Sequence, residues 1–457
     1  MMERVKSWLL AVLVVLSLVQ SFFLSYSMPK FDAVERSSSQ YIKPNPSGPD
    51  EKVENLIYPE QMILHLGSNE HAVLYPNMTF FNIVMKRLEG RSYDGFQAKP
   101  VHVMDWKKIR EEREGIELRY NTAIPVKLLK KVLPIQESSS FDSESVSRIW
   151  IYAADETNEA RVFFFTADGD KIYESTGADL TVQDVRQHVE FGRTWNRYQL
   201  VNDTFYVPVD PYEMVNVTLA YTLYTPEQMQ SSLFFDPTLT KIIQETDGSR
   251  IYTDGKRGLQ IHSNQHWVTY SDATAPGEGR SDPTSDVSTA VSFMNQRGGW
   301  NGSYRLAKIV DNTRTPSDVN SILNKQNTLI FQQYWGSYPI VSTSSFQFGY
   351  LQVMLQQGMV TNFERSLVQL SSHGIDKELR SLAGGKTLID ALKGMNRVAD
   401  IVELDPAYEP VLKKDKIELV PVWQITYRDD TTELLRLYAE QGSDTAAAGT
   451  GAPHAQE

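Results

Sequence analysis

The chain has no cysteine among its 457 residues. This excludes disulfide staples, thiolate zinc sites, thiol catalysis and cysteine-held iron–sulfur clusters, and it suits an exported protein that avoids stray oxidation. Basic blocks are missing too, none being longer than pairs such as Lys107–Lys108, Lys130–Lys131 and Lys413–Lys414, while the net charge is −12. Nucleic acid is therefore not an expected partner, because phosphate recognition needs clustered cations. Histidine is sparse: His65, His71, His102, His188 and His373 stand singly. His262 and His266 lie four apart, but in a strand-like context without the glutamate of an HExxH helix, so no metal site is assigned. No G-x-S-x-G nucleophile elbow occurs. "GGKT" at 384–387 fails as a phosphate loop because Arg380 stands where the first glycine belongs. No catalytic residue, metal, cofactor or small-molecule substrate is expected.

Long apolar runs are also scarce, with one exception. Ser7 to Pro29 carries no ionisable side chain, and Trp8, Leu9, Leu10, Val12, Leu13, Leu16, Phe22 and Phe23 belong to one apolar segment. Trp8 and Tyr26 lie 18 residues apart, roughly 27 Å along a helix and close to the thickness of a hydrocarbon core. With Arg4 and Lys6 on the short side, the positive-inside rule predicts a cytoplasmic stub and anchor over 1–29, with the bulk of the protein outside the cell membrane. A cleaved signal peptide is the rival reading, disfavoured by the long apolar region and the Ser-x-Ser site. Residues 30–53 read as a flexible Ser/Pro/Gly tether and 439–457 as a disordered tail.

The length predicts several domains, and 41% hydrophobic residues are enough for real cores. Proline after a capping residue marks helix starts at Thr225–Pro226, Asp236–Pro237, Asp282–Pro283 and Thr315–Pro316. Thr181 with Asp184 makes a capping box, as does Thr387 with Asp390 ahead of "LIDALKGMNRVADI". "SRIWIYAA", "ARVFFFTA" and "IELVPVWQITY" read as strands. "DGDKIY" at 168–173 and "DGSRIY" at 247–252 read as hairpin turns. The expected class is α+β: a single transmembrane helix, then several extracytoplasmic domains of antiparallel sheets with packed helices.

Although 22% of the chain is charged, Gln326 to Phe363 contains no Asp, Glu, Lys, Arg or His. The alternation of Phe346, Phe348 and Tyr350 predicts a strand. Such a stretch is either a covered sheet or a charge-free contact face, with Tyr334, Trp335, Tyr338, Pro339, Phe346, Phe348 and Tyr350 as the candidate partner surface.

The basic amino terminus with its single anchor, "YWGSYPIVSTSSFQFGYLQVML", the helix after "GGKTLIDAL" and the closing "ELVPVWQITY" together resemble the YycH family, membrane-anchored regulators of the WalK/WalR (YycG/YycF) two-component system. The likeness runs from the anchor to about Tyr438. It implies three extracytoplasmic domains, here 54–143, 144–229 and a YycI-like region over 230–438. It also implies a non-enzymatic regulator that acts, with a YycI-type partner, on the sensor histidine kinase WalK/YycG in cell-wall homeostasis, its anchor helix touching the kinase. The alternative is an exported, membrane-tethered cell-wall enzyme or a wall-binding scaffold.

Overall fold

Apolar strand sequences separated by positive-φ turns build three antiparallel sheets, as seen in a computed structural model that describes residues 6, 8, 12–17, 20, 48–154, 157–262, 266–275, 281–311 and 327–439. The first sheet holds β1 (Gln61–Leu66), β2 (His71–Leu74), β3 (Phe96–Pro100), β4 (Glu114–Pro125), β5 (Ser145–Ala154), β6 (Glu159–Thr166), β7 (Lys171–Ser175), β8 (Arg197–Val201) and β9 (Phe205–Pro208), in the order β3-β7-β6-β5-β4-β1-β2-β8-β9. It runs unbroken past residues 143 and 144, where the sequence reading divides two domains. β10 (Tyr212–Leu223) opens a second sheet, which the chain leaves at once.

The third sheet follows as β11 (Lys241–Gln244), β12 (Arg250–Thr253), β13 (Arg257–His262), β14 (Trp267–Asp272), β15 (Ser303–Asp311), β16 (Asn327–Trp335), β17 (Tyr338–Pro339), β18 (Tyr350–Gln356) and β19 (Met359–Ser366). Its order is β11-β12-β13-β14-β19-β18-β16-β15, with β17 beside β16. The chain then returns to complete the second sheet with β20 (Val368–Leu382), β21 (Ile401–Leu412), β22 (Lys416–Tyr427) and β23 (Thr432–Leu435), ordered β20-β10-β22-β21 with β23 on β22. The third sheet is thus an insertion in the second.

Helices cover the sheets where their apolar stripes fall. Val84, Met85 and Leu88 of α1 (Thr79–Glu89) share one core with Leu64, Ile116, Ile149 and Phe164 of the first sheet. The opposite face of that sheet is closed by α2 (Trp106–Glu112), whose Trp106 ring lies 4.8 Å from Phe165 and 5.3 Å from Trp150. α3 (Val182–Glu190) starts in the expected capping box, with Thr181 and Asp184 each satisfying the other's backbone N–H. α4 (Pro226–Leu233) and α5 (Pro283–Gln296) begin at the expected cap-and-proline pairs, and Asp236–Pro237 yields a short 3-10 turn. The Thr315–Pro316 start lies outside the described residues. Both Asp-Gly turns are hairpins, with Gly169 at φ 74° and Gly248 at φ 89°.

Two local expectations are corrected. α6 (Gly385–Lys393) is capped by the backbone of Gly384 without a side-chain cap, so Thr387 and Asp390 sit inside the helix, which ends at Gly394. Phe346 and Phe348 are not in a strand: β18 starts at Tyr350. Their alternation belongs to an irregular connection in which Thr343 Oγ1 accepts from the Phe346 N–H and the two rings stack 5.5 Å apart. Gly349 ends that connection at φ +87°, where a Cβ would meet the Ile340 carbonyl oxygen at 2.2 Å. Gly349→Ala is expected to lower stability by about 1–3 kcal/mol, read as a shift in urea midpoint, and a change below about half a kcal/mol would show that this approach is not held closed.

Candidate functional site

The three sheets converge at a polar junction in which Gln61, Arg305 and Asp405 are buried and Glu60 and Glu403 half-buried. Glu60 immediately precedes β1, and its Oε2 accepts from Tyr334 Oη of β16 at 2.6 Å and from Asn121 Nδ2 of β4 at 2.7 Å. Gln61 Nε2 donates to Asp405 Oδ1 of β21 at 2.5 Å. Glu403 and Asp405 share a strand face, and with Glu60, Asn121, Gln332, Gln424, Thr426 and Lys308 they line a cavity of about 100 Å³.

Arg305 of β15 supplies the buried cation. Its guanidinium lies 4.5 Å from the Tyr58 ring centroid and 5.0 Å from that of Tyr334, and Nη2 donates to Asn77 Oδ1 at 3.0 Å. Burial resists every charge here. It raises the carboxyl of Glu60 against the bonds from Tyr334 and Asn121 and the charge of Arg305. It pushes Glu403 up to about 7, with Glu60 adding repulsion, and lifts Asp405 well above the carboxylate range, with Glu403 and Glu60 adding to the effect.

A second network lies in the first sheet. The turn at Gly67–Asn69 folds β2 back on β1, setting His65 directly opposite His71. Their Nδ1 atoms are 3.1 Å apart, and His65 Nε2 lies 3.2 Å from Glu117 Oε2. Glu117 is fully buried, and its Oε1 accepts from Arg119 Nε at 2.8 Å and from Arg148 Nη1 at 3.2 Å. His65 stacks on Trp150 at 5.1 Å.

Against its burial, Arg119, His65 and Arg148 hold the Glu117 carboxyl well below its usual range. Burial depresses His65, and burial with the neighbouring imidazole holds His71 down at about 3. Two neutral rings and one carboxylate share their protons in one consistent way. His65 Nε2–H donates to Glu117 and His71 Nδ1–H donates to His65; His71 Nε2 must then accept, which requires the Asn69 amide to turn so that its NH2 replaces the Oδ1 that lies 3.3 Å away.

These groups are bonded to one another, and this limits their chemistry. A cavity of about 100 Å³ is well below the roughly 300–1,000 Å³ of small-molecule sites and holds a few waters, not a sugar ring. A wider groove of about 580 Å³ lies along β6, β7 and the start of α3. Its Glu174 is held ionised, against burial, by Lys99 and Arg161, so it offers no protonated acid. Among the described residues no group of three or more His, Asp or Glu is arranged to hold a metal ion.

The uncharged stretch reaches this junction from the other side. Tyr334, Pro339, Phe346 and Phe348 are buried, and Trp335, Tyr338 and Tyr350 are partly buried. Tyr338 Oη is 2.9 Å from Tyr212 Oη, and its ring lies 5.9 Å from Tyr75 and 6.0 Å from Tyr408. Ile340, Phe346 and Phe348 share a core with Ile63, Tyr75 and Phe205 of the first sheet and Trp423 of the second. Charge depletion and aromatic enrichment also mark an interface core; in this structure the stretch packs on the chain's own first and second sheets. Trp267 packs on Tyr350 at 4.8 Å.

At the amino terminus Lys6, Trp8, Val12, Leu13 and Leu16 are helical and exposed. Arg4, Leu9, Leu10, Phe22 and Phe23 lie outside the described residues. Among the described residues no helix is long and apolar enough to cross a membrane.

Sequence reasoning missed both polar networks. The imidazole pair had one local signal: "QMILHLGSNEHAVL" is two apolar runs around a Gly-Ser-Asn turn, which brings its histidines face to face. The acidic cluster had none, since residues 60 and 403 to 405 meet only in the tertiary fold.

Comparison with known proteins adds the following. The chain matches the family described as YycH protein, N-terminal domain, over residues 3–191, and YycH protein, C-terminal domain, over 202–442. It is 18% identical to a two-component system WalR/WalK regulatory protein, YycH of Bacillus subtilis (strain 168), over 92% of this chain and 94% of that one. The crystal structure of YycH from Bacillus subtilis superposes with a TM-score of 0.68 at 16% identity, covering 85% of this chain and 98% of that chain. At that identity the likeness speaks for the fold.

Proposed function

The chain belongs to the YycH family, and on that premise we propose that it is a membrane-tethered, non-enzymatic regulator of a WalK-type sensor histidine kinase. It acts from the extracytoplasmic side together with a YycI-type partner, in the control of cell-wall homeostasis. The observation that carries this reading is the match of both family domains across nearly the whole chain, to a relative named as a WalR/WalK regulatory protein. The apolar run Trp8 to Leu24, helical and exposed where it is described, supports the tether. The small junction cavity favours a contact role over the cell-wall enzyme.

Such a regulator needs no covalent chemistry. It shifts a two-state kinase only by its differential affinity for the two states, and about 1.4 kcal/mol changes their ratio tenfold. A few helix contacts in the bilayer and one protein interface supply energies of that size.

The test is in-membrane crosslinking of the full chain followed by capture. Recovery of both a WalK-type kinase and a YycI-type protein is expected. Replacing residues 1–29 by an unrelated transmembrane helix is expected to reduce kinase recovery severalfold while the protein stays in the membrane. Recovery of neither partner, or an unaltered yield after the swap, contradicts the proposal.

A further inference from the structure

β11 is an unusual sheet edge. All four residues, Lys241 to Gln244, are exposed, and Ile242 and Ile243, on opposite faces, are 64% and 51% exposed. Phe235 and Leu239, just before it, are exposed as well. Among the described residues β11 is the terminal strand of the third sheet, and nothing pairs with its outer edge. Native proteins usually blunt such edges, because open N–H and C=O groups beside apolar side chains invite another strand.

The hairpin shows which groups are open. The Glu245 N–H donates to Ser249 O at 2.9 Å and the Gly248 N–H to Glu245 O at 3.2 Å, closing the turn on the pair 245/249. Antiparallel ladders alternate, so Ile243 and Lys241 bond inward to Ile251 and Thr253, whereas Ile242 and Gln244 aim their backbone groups outward.

Two copies facing each other antiparallel bond only in registers that bring outward residues together. Centring on Gln244 would need residues 246 and 247 extended, and the turn that follows β11 excludes it. Centring on Ile242 sets Lys241 against Ile243. Centring on Ile243 joins Ile242 to Gln244 of the other copy, twice, and stacks Ile243 on itself. Lys241, Ile243 and Glu245 share one face, and that register puts Lys241 opposite Glu245 at both ends. Glu245 is steadied on this face by Gln260 Nε2 at 3.0 Å.

We propose that a second copy of this chain docks on β11, the two edges pairing antiparallel about a two-fold axis through Ile243 and continuing the third sheet across both molecules. The contact is isologous, as two-fold pairing requires. It is also small, so it is weak in dilute solution and strengthened where copies are concentrated together.

The absence of cysteine makes the test clean. Ile243→Cys in the full chain, reconstituted into liposomes and mildly oxidised, carries the only thiol, at a directly opposed pair of the kind whose Cβ atoms suit a disulfide. It is expected to crosslink to itself at least tenfold faster than Leu379→Cys, an exposed position on β20. Adding Lys241→Glu, or adding Glu245→Lys, sets like charges opposite and is expected to slow crosslinking roughly tenfold. Mixing the two variants restores opposite charges at both ends and is expected to restore the rate. Equal rates for the two cysteine positions, or no recovery on mixing, overturns the proposal, as does crosslinking to a foreign protein alone. Recovery on mixing also separates lost pairing from misfolding of either variant.

Discussion

Glu117→Ala is expected to destabilise the protein by about 3–5 kcal/mol, as removing one partner of a buried charge network does. The carboxylate is fully buried and is the shared acceptor for Arg119, Arg148 and His65. Without it two half-buried guanidinium groups remain beside the Trp150 and Tyr206 rings without their carboxylate, Arg119 keeping a bond to the Thr204 carbonyl. Glu117→Gln keeps the shape and loses the charge, so most of the loss should persist. Urea unfolding followed by tryptophan fluorescence reads the effect directly, since Trp150 stacks on His65 in the same network. A loss below about 1 kcal/mol would mean that water reaches the two arginines.

Stability should also peak on the acid side of neutrality, between about pH 4.5 and 6.5, because the two polar networks respond in opposite directions. At the junction Glu403 titrates at about 7, above the ordinary carboxylate value, and Glu60 and Asp405 are raised in the same sense. The folded state therefore binds protons that the unfolded chain has released. This stabilisation is complete below about pH 4.5 and disappears as pH climbs through about 7, on the order of 2 kcal/mol for Glu403. In the imidazole pair the folded values are depressed. The unfolded chain then binds the extra protons, so that contribution is intact above about pH 6.5 and falls away in acid.

Glu403→Gln is expected to flatten the alkaline limb and leave the acid limb in place. His71→Asn should do the reverse. Urea midpoints measured from about pH 5 to 9 test both, and a wild-type curve that rises continuously with pH would refute the junction's part.

What the sequence disclosed was local. Thr181 with Asp184, and proline after Thr225 and Asp282, name helix starts because capping is decided within a few residues. The strands around Trp150, Phe164 and Trp423 declare themselves through β-branched and aromatic runs. Thr387 and Asp390 misled because a backbone cap at Gly384 satisfied the helix one turn earlier. Phe346 and Phe348 misled because alternation also arises in an extended connection without a ladder.

The candidate site was illegible for a different reason. Gln61 and Asp405 bond across 344 positions, and no periodicity carries information over that span. The uncharged stretch did reveal that it is a charge-free packing face, but not that it packs on the chain's own first and second sheets. Nor does local pattern show that the third sheet is inserted into the second, since β10 meets β20 and β22 only after β11 to β19 have intervened.

The most direct measurement of the central claim is co-reconstitution of the full chain, a WalK-type kinase and a YycI-type protein in one bilayer, with kinase autophosphorylation followed over time. A membrane-tethered regulator working by contact predicts a severalfold change in phosphorylation that requires the native amino-terminal segment and consumes no substrate. An unchanged rate with all three proteins present in the same vesicles would contradict it.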